Sequence, residues 1–220
     1  MINPQFAFAW PFIDGLAVVQ VGDTETGKWG FIDTTGKYVI SPQFGGALPF
    51  TDGLARVFSG DRTAGNWGYI DKSGKYVVRP QFGSTGFFMQ RIARVRVGDQ
   101  KTGKWGYIDS TGRMIVNPQF DAADLMIDGI AAARRRRKHR QGGYIDKSGK
   151  YLISPQFGAA AHFSDGLAAV RVGDSETGKW GYIDRTGKYL VKPQFDEARA
   201  FGKDGLARVR IADKWGYIRR

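Results

Sequence analysis

Apolar residues alternate with other residues along short runs of the chain, and Gly, Asp and Pro interrupt these runs at regular intervals. In the run 14–22, DGLAVVQVG, every second side chain from Ala17 to Val21 is apolar. A period of two is typical of a β-strand, whose successive side chains point to opposite faces. The runs 28–33, KWGFID, and 37–44, KYVISPQF, are rich in β-branched and aromatic residues. The pattern therefore predicts three short strands, and then a linking segment that is either a helical turn or a short fourth strand.

This set of runs repeats along the whole chain. The tripeptide Pro-Gln-Phe recurs every 37 or 38 residues and begins at Pro4, Pro42, Pro80, Pro118, Pro155 and Pro193. Such a period indicates a tandem-repeat architecture in which each repeat packs on its neighbours. We expect a single repeat domain over 1–220, with units at approximately 4–41, 42–79, 80–117, 118–154, 155–192, and 193–220 together with 1–3.

Turn residues connect the predicted strands. Asp-x-x-Gly links the second and third strands, as from Asp33 to Gly36. Asp at the start and Gly with positive φ at the end fit a tight hairpin. The Pro of Pro-Gln-Phe has no N–H for a ladder, so it should end the third strand or lie at a sheet edge. A large apolar residue six positions after Pro-Gln-Phe, such as Phe50, predicts packing between repeats.

Two all-β architectures satisfy this pattern. The predicted strands carry apolar residues on both faces, and such sheets must be covered on both faces by neighbours. A closed six-bladed β-propeller does this, and an open β-solenoid of hairpins does so too. The chain begins near the end of a third strand and stops after a second strand. We favour the propeller, with the N-terminal segment completing the last blade.

The repeated motifs resemble those of the WG-repeat (KWG) family. The segment 103–120, GKWGYIDSTGRMIVNPQF, and its copies carry Trp-Gly, Asp-x-x-Gly and Pro-Gln-Phe in fixed order, and Asp-Gly-Leu-Ala recurs between them. The resemblance covers essentially the whole chain. The family occurs mainly in bacterial proteins. The resemblance implies a β-repeat interaction module and transfers no catalytic residue.

Composition limits the remaining functions. The 220 residues include no Cys, which excludes disulfides, thiolate metal sites and a Cys nucleophile. No apolar run is long enough for a transmembrane helix, and the first residues lack the features of a signal peptide. We expect a cytoplasmic protein that does not bind membranes.

Positive charge is concentrated in one place. The run 134–140, RRRRKHR, contains six of the 33 Lys and Arg residues and half of the net charge of +12. In the fifth unit the corresponding stretch 171–180 has an acidic turn followed by Trp180. The basic run therefore replaces the hairpin turn between the first and second strands of the fourth unit. It is either a site for a polyanion or a degenerate turn that the fold tolerates.

Arginine also recurs at one level of the first strand, in four of six units: Arg96, Arg134, Arg171 and Arg210. In a propeller these side chains would form a basic ring around the axis. Arg, with its planar bidentate donors, suits phosphate or carboxylate. The alternative is a solvated strand face whose long side chains cover apolar neighbours.

Catalytic and metal-binding patterns are absent from the sequence. His139 and His162 occupy different repeat positions and no ligand-spaced cluster surrounds them. The Asp of each Tyr-Ile-Asp reads as a turn residue, and the segment 22–27, GDTETG, lacks the ligand number of a calcium loop. We expect no enzyme activity, no metal and no cofactor.

The recurring tryptophans have two interpretations. Placed beside Gly in every intact unit, they are either packing anchors of the repeat, which we favour, or stacking platforms for sugars, bases or peptides. They are Trp29, Trp67, Trp105, Trp180 and Trp215. Trp10 lies outside this pattern, and we expect it to be exposed or to make a local contact.

These observations lead to three hypotheses about function. The first is a monomeric, non-enzymatic interaction module for an unknown protein or an anionic ligand, without sequence-specific recognition of nucleic acid. Its predicted ligand-binding residues are Arg134, Arg135, Arg136, Arg137, Lys138, Arg140, Arg96, Arg171 and Arg210. The second is a purely structural or protein-binding scaffold, and the third is a carbohydrate-binding propeller that uses the repeated aromatics.

Overall fold

A computed structural model describes residues 1–60, 65–135 and 141–220. Within these ranges the regular secondary structure consists of β-strands, arranged in six antiparallel sheets. We call each sheet a blade and number the blades one to six in chain order.

The first three blades contain strands β1 to β12. Blade one comprises β1 (Phe8–Ala9), β2 (Leu16–Val21), β3 (Lys28–Asp33) and β4 (Tyr38–Phe44). Blade two comprises β5 (Gly46–Ala47), β6 (Ala55–Gly60), β7 (Gly65–Ile70) and β8 (Tyr76–Phe82). Blade three comprises β9 (Ser84–Thr85), β10 (Ile92–Val97), β11 (Lys104–Asp109) and β12 (Met114–Phe120).

The last three blades contain strands β13 to β23. Blade four comprises β13 (Ala122–Ala123), β14 (Ala131–Arg134), β15 (Gly142–Ile145) and β16 (Tyr151–Phe157). Blade five comprises β17 (Ala159–Ala160), β18 (Leu167–Val172), β19 (Lys179–Asp184) and β20 (Tyr189–Phe195). Blade six comprises β21 (Glu197–Ala198), β22 (Leu206–Ile211) and β23 (Lys214–Arg219).

Each blade is a meander in which consecutive strands are neighbours. Five blades have four strands and blade six has three. The linking segment is thus a two-residue strand that pairs with the first long strand, which decides between the two predicted possibilities. Six such sheets give the chain a β-propeller-like fold and confirm the predicted all-β class.

The chain divides into two compact units, residues 1–118 and 119–220. Completion of blade six by the N-terminal segment, and with it closure into a ring, would join these units and stays a prediction.

The Asp-x-x-Gly turns have the predicted hairpin structure. Asp33 Oδ1 accepts hydrogen bonds from the backbone N–H of Thr35 at 2.9 Å and of Lys37 at 3.1 Å, and from the Thr35 hydroxyl at 2.6 Å. These bonds, the hydroxyl bond above all, lower the pKa of the Asp33 carboxyl. Gly36 ends the turn with φ of +88°.

The Pro-Gln-Phe tripeptides lie in the outermost strand of each four-stranded blade, as predicted for Pro at a sheet edge. The register between β3 and β4 shifts where Gly30 faces the stretch 41–43. A Cβ atom on Gly30 would lie 2.6 Å from the carbonyl oxygen of Ile40 and 2.7 Å from the nitrogen of Pro42. The Gly of Trp-Gly is therefore required because the fourth strand approaches too closely for any side chain.

The core of the first unit lies between adjacent blades. Phe31 of blade one contacts Phe50 of blade two with ring centroids 5.0 Å apart, and Tyr69 contacts Phe88 of blade three at 4.8 Å. Phe31 and Tyr69 are both fully buried. This confirms the predicted packing between repeats.

The second unit repeats the same arrangement. Tyr144 contacts Phe163 at 4.7 Å and Tyr182 contacts Phe201 at 4.9 Å, each across two adjacent blades. The outermost strands differ from the expectation of apolar residues covered on both faces, because Val39 of β4 is 44% exposed. Coverage on both faces is therefore limited to the inner strands of the blades.

Candidate functional site: arginines stacked on tryptophan

The strand register places the recurring Arg residues directly opposite the recurring Trp residues. Arg96 pairs with Trp105 across β10 and β11, and Arg171 pairs with Trp180 across β18 and β19. The guanidinium carbon lies 5.5 Å from the indole centroid in the first pair and 5.7 Å in the second. Both distances are within the range of a cation–π interaction.

Blade six repeats this pairing. Arg210 faces Trp215 across β22 and β23, with its guanidinium carbon 5.9 Å from the indole centroid. Arg208, two residues earlier on the same face, lies closer to the same ring, at 4.3 Å. Two guanidinium groups therefore contact one indole.

Blade three also has two arginines on one ring. Arg94 lies 5.0 Å from the centroid of Trp105, beside Arg96. In blades one and two the position facing Trp is held by uncharged residues, Gln20 opposite Trp29 and Phe58 opposite Trp67. The pairing of Arg with Trp thus belongs to blades three, five and six of the described structure.

The strand that carries these arginines is the second of each blade. In blade five the two-residue strand β17 lies beyond β18, and Ala159 faces Arg171. A basic ring around a channel assumes that the first long strand is the end strand of each sheet. In the structure the two-residue strand is the end strand, and the first long strand lies next to it. The ring itself stays a prediction.

The arginines differ in their acidic partners. Arg210 forms an ion pair with Glu197 at 2.8 Å, and Arg199 approaches the same carboxylate at 3.4 Å. The Nε atoms of Arg96, Arg171 and Arg210 are buried without a hydrogen-bond partner in the described structure. The guanidinium groups of Arg96 and Arg171 are therefore held by stacking, that of Arg210 by stacking and an ion pair, and each keeps an Nε–H donor without a partner.

In blade four the arrangement changes. Arg134 keeps its predicted strand position but faces Gly142, because the Trp is missing. Arg135, the first residue of the replaced turn, packs against neighbouring strands. Its guanidinium carbon lies 5.1 Å from the Phe120 ring and 5.8 Å from the Tyr151 ring, and its NH2 group donates a hydrogen bond to Gln119. The half-buried side chain therefore lies between β12 of blade three and β16 of blade four.

The rest of the basic run lies outside the described residues. This part comprises Arg136, Arg137, Lys138, His139 and Arg140. Their predicted contacts with a polyanion stay predictions.

The Trp side chains differ in exposure. Trp29, Trp67, Trp105 and Trp180 are half-buried, and Trp29 and Trp180 pack against core clusters. Trp215 is 45% exposed. Trp10 is 38% exposed, and its ring centroid lies 5.8 Å from that of Phe8. Trp10 thus has both the exposure and the local contact that were the two expectations from the sequence.

The other candidate groups have structural roles in turns. Asp23 of the GDTETG segment accepts hydrogen bonds from the backbone N–H groups of Glu25 and Thr26, and from the Thr26 hydroxyl at 2.5 Å. These bonds, led by that of the hydroxyl, lower the pKa of Asp23 to about 2. His162 is exposed. Within residues 1–60, 65–135 and 141–220, no cluster of His, Asp or Glu has the composition of a metal site.

The fold and the repeated strand pairs define an all-β repeat protein of the propeller type. A family model described as "WG containing repeat" matches residues 1–24, 29–62, 67–100, 105–138, 143–175 and 180–215. The chain therefore belongs to the WG-repeat family, as its motifs indicated. None of the curated proteins matches the sequence.

Several solved structures share the fold at low sequence identity. A eukaryotic initiation factor matches with a TM-score of 0.55 and 13% identity over 86% of this chain and 56% of its own. Hsv2p from Kluyveromyces lactis matches at 0.52 and 10% over 93% of this chain and 71% of its own. Prolyl oligopeptidase B from Galerina marginata matches at 0.51 and 13% over 89% of this chain and 36% of its own. At these identities the similarity shows the fold alone.

Among residues 1–60, 65–135 and 141–220, no helix is long and apolar enough to cross a bilayer.

Sequence reasoning missed the stacked pairs. It identified one level of arginines and one level of tryptophans, but it did not place them opposite each other. The signal was present in the spacing, because a tight hairpin between two strands fixes which positions face each other. Arg94 and Arg208 were not predicted as site residues, although they lie two positions before Arg96 and Arg210 on the same strand face.

Proposed function

We propose that this WG-repeat module is a non-enzymatic binding protein whose ligand is a polyanion. The observation that carries the proposal is the repeated stacking of guanidinium groups on Trp, seen at Arg96, Arg171 and Arg210. Stacking holds a guanidinium plane in a defined orientation, so less side-chain entropy is lost when its remaining donors bind an anion. In the proposed complex the partner is thus recognised by its phosphate or carboxylate groups.

On the strand face that carries the stacked arginines, the second unit has more basic side chains than acidic partners. Arg208 and Arg210 lie over Trp215, with Glu197 paired to Arg210. Arg171 lies over Trp180, and its described contacts are with the indole ring rather than with a carboxylate. In the proposed complex, anionic groups of the ligand take the place that acidic side chains would otherwise fill.

The basic run of blade four supplies further charge in the proposal. It contains five basic residues after Arg134, not counting His139. The run has no interleaved aromatic residue, so the proposed contacts are with backbone phosphates and not with bases. Binding should therefore be strongly salt-dependent and indifferent to sequence.

Binding to a generic DNA duplex and to heparin, measured as salt is raised, tests the proposal. Replacing residues 135–140 with GDSETG, the equivalent turn of blade five, removes five basic side chains. If each engages one phosphate, the log–log slope of the binding constant against salt should fall in magnitude by about 4.5. Arg171→Gln should weaken binding with a loss of about one unit of slope.

A control with the same loss of Lys and Arg side chains separates a site from a net-charge effect. It replaces five exposed lysines away from the basic run, Lys37, Lys75 and Lys150 by Gln and Lys188 and Lys203 by Glu, so that its net charge falls by seven, as it does in the loop replacement, which also adds an Asp and a Glu. The proposal requires this control to bind more tightly than the loop replacement. Equal weakening of both, or wild-type protein that binds neither ligand at low salt, would contradict it. Retained partner binding after the loop replacement would favour a protein-binding scaffold instead.

A further inference from the structure

The contact between blades two and three carries polar side chains at two positions that are apolar in other contacts between blades. Between blades one and two, Val18 and Ala47 hold these positions and are buried in one core cluster. In the second unit the two positions hold small apolar residues that pack in core clusters: Ala132 with Ala160, and Ala169 with Ala198. Between blades two and three they hold Arg56 and Thr85. A cation and a hydroxyl thus replace an apolar pair.

The strand register turns both polar side chains into this contact. Arg56 faces Tyr69 across β6 and β7, and Tyr69 packs on Phe88 of blade three. Thr85 faces Val95 across β9 and β10, and Val95 lies in the core cluster that contains Tyr69. Arg56 therefore points toward blade three, and its Nη1 group donates a hydrogen bond of 3.0 Å to the backbone carbonyl oxygen of Thr85.

The chain satisfies neither polar group fully. Thr85 is only 8% exposed, and its hydroxyl has no hydrogen-bond partner within the described residues. Arg56 is half-buried, and the ion pairs found in the described ranges involve other cations. A charge that is buried without an opposite charge is costly, and burial accordingly lowers the pKa of the Arg56 guanidinium. An anion bound at this place would offset that cost.

A second guanidinium adds positive charge at the same place. The like charge of Arg94 lowers the pKa of Arg56 further, after the effect of burial. The stem of Arg94 lies over Gly86, where a Cβ atom would be 2.8 Å from Arg94 Cγ. The carbonyl oxygen of Gly86 accepts the hydrogen bond of the Tyr69 hydroxyl from blade two, at 2.7 Å. Two arginines and a buried hydroxyl are therefore grouped at this contact.

We propose that Arg56, Arg94 and Thr85 form a binding site for one phosphate group. Guanidinium groups bind phosphate through charge-assisted hydrogen bonds, and the hydroxyl supplies a further donor. A phosphate dianion matches the two positive charges, whereas a carboxylate offers one negative charge and two oxygens. Both arginines are half-buried, so the ligand reaches them from solvent. Arg56 and Thr85 take no part in the proposed polyanion site, so this site goes beyond that function and stands without it.

Calorimetric titration of the full chain with inorganic phosphate tests the site. The titration is done at about pH 8, above the second pKa of a phosphate group, in about 150 mM sodium chloride to screen exposed charges. It should show saturable binding of one phosphate per chain, and phosphate should raise the melting temperature. Acetate should bind at least about tenfold more weakly. Methyl phosphate distinguishes the sources: binding as tight as that of inorganic phosphate supports a phosphomonoester ligand, and weaker binding supports free phosphate.

The matched double variant is Arg56→Val with Thr85→Ala, which gives blades two and three the apolar pair that Val18 and Ala47 form. Because apolar residues often replace buried charges without loss of stability, it should melt close to the wild type in the absence of phosphate. Its phosphate Kd should rise at least about tenfold. Arg56→Gln removes the charge but keeps a donor for the Thr85 carbonyl, and it should weaken binding as much. Arg79→Gln removes an exposed arginine of β8 and should leave the Kd within about twofold.

The proposal is overturned if the wild type shows no saturable binding of phosphate, or if Arg56→Gln binds phosphate as tightly as Arg79→Gln does. Acetate that binds as tightly as phosphate would also overturn it, because the site would then take carboxylates. A wild type that binds phosphate but neither heparin nor the DNA duplex would support this site and contradict the polyanion site, so the two proposals fail separately.

Discussion

The hydroxyl of Tyr182 in blade five donates a hydrogen bond of 2.8 Å to the backbone carbonyl oxygen of Arg199 in blade six. Tyr144 makes the same bond to Ala161, and Tyr69 makes it to Gly86, at 2.8 and 2.7 Å. Each Tyr ring packs on a Phe of the next blade, and its hydroxyl donates to a backbone carbonyl two residues before that Phe. The Phe residues are Phe201, Phe163 and Phe88. One side chain thus provides both the packing and the polar contact between adjacent blades within each unit.

Removal of this hydroxyl should destabilise the protein without disturbing the packing. In Tyr182→Phe the ring remains, as Phe31 does at the same place in blade one, but the Arg199 carbonyl loses its donor. We expect a loss of about 1 kcal/mol in the free energy of unfolding, measured by chemical denaturation. Tyr217→Phe is the control, because Tyr217 is 70% exposed and its hydroxyl can bond to water. An equal loss in both variants would contradict the role assigned to the buried bond.

The same tyrosine predicts an alkaline limit of stability. Burial raises the pKa of Tyr182 to about 12, above the ordinary tyrosine value of 10.0. Between these values the phenol ionises more readily in the unfolded chain, so stability is fully present below pH 10 and is lost as pH rises toward 12. Tyr182→Phe should flatten the fall in melting temperature over this range. A fall as steep as that of the wild type would show that other groups dominate it.

The close approach of the fourth strand predicts opposite results for one substitution in two blades. Gly181→Ala places a Cβ atom 2.5 Å from the Val191 carbonyl oxygen, so β20 must shift. Overpacking of this kind costs about 1–3 kcal/mol. Gly216→Ala has open space and should be neutral or stabilising by about 0.5 kcal/mol. Melting temperatures of the two variants decide, and similar losses would mean that the fourth strand is not the reason for Gly.

Much of this fold could be predicted from the sequence because each repeat contains residues that are typical of specific turns and of edge strands. Asp33 and Gly36 fix a hairpin, and Pro42 marks an edge strand, so strand number and order follow from local chemistry. The two-residue strand after each Pro-Gln-Phe could not be predicted, since two residues have no periodicity.

The site was predicted less well. The level of Arg171 was visible, but its stacking on Trp180 depends on register across the hairpin, and the half-buried position of Arg135 depends on Phe120 and Tyr151 of neighbouring strands.

The acidic turn before Trp29 predicts a contribution to stability on the acid side. The Thr26 hydroxyl and backbone N–H groups hold the pKa of Asp23 at about 2 in the folded protein, below the ordinary aspartate value of 3.8. Stability from this group is therefore present above pH 3.8 and is lost as pH falls toward 2. Asp23→Asn should lower the melting temperature at pH 5 and have a smaller effect near pH 2. Glu25→Gln, in the same exposed turn, is the control for loss of charge. A pH-independent effect of Asp23→Asn would contradict the linkage.

The difference in Trp exposure predicts which rings a ligand can reach, and so tests the carbohydrate hypothesis. A sugar site on the repeated aromatics requires several exposed indoles, but only Trp10 and Trp215 are exposed in the described structure, and the other four are half-buried. Acrylamide should therefore quench two components of the fluorescence strongly. Trp10→Phe and Trp215→Phe should each remove part of the quenchable emission, whereas Trp180→Phe should remove emission that is quenched weakly, because Arg171 and the core cover that ring. Strong quenching that is lost in Trp180→Phe would mean that this ring is open to solvent, which would favour a stacking platform over a packing anchor.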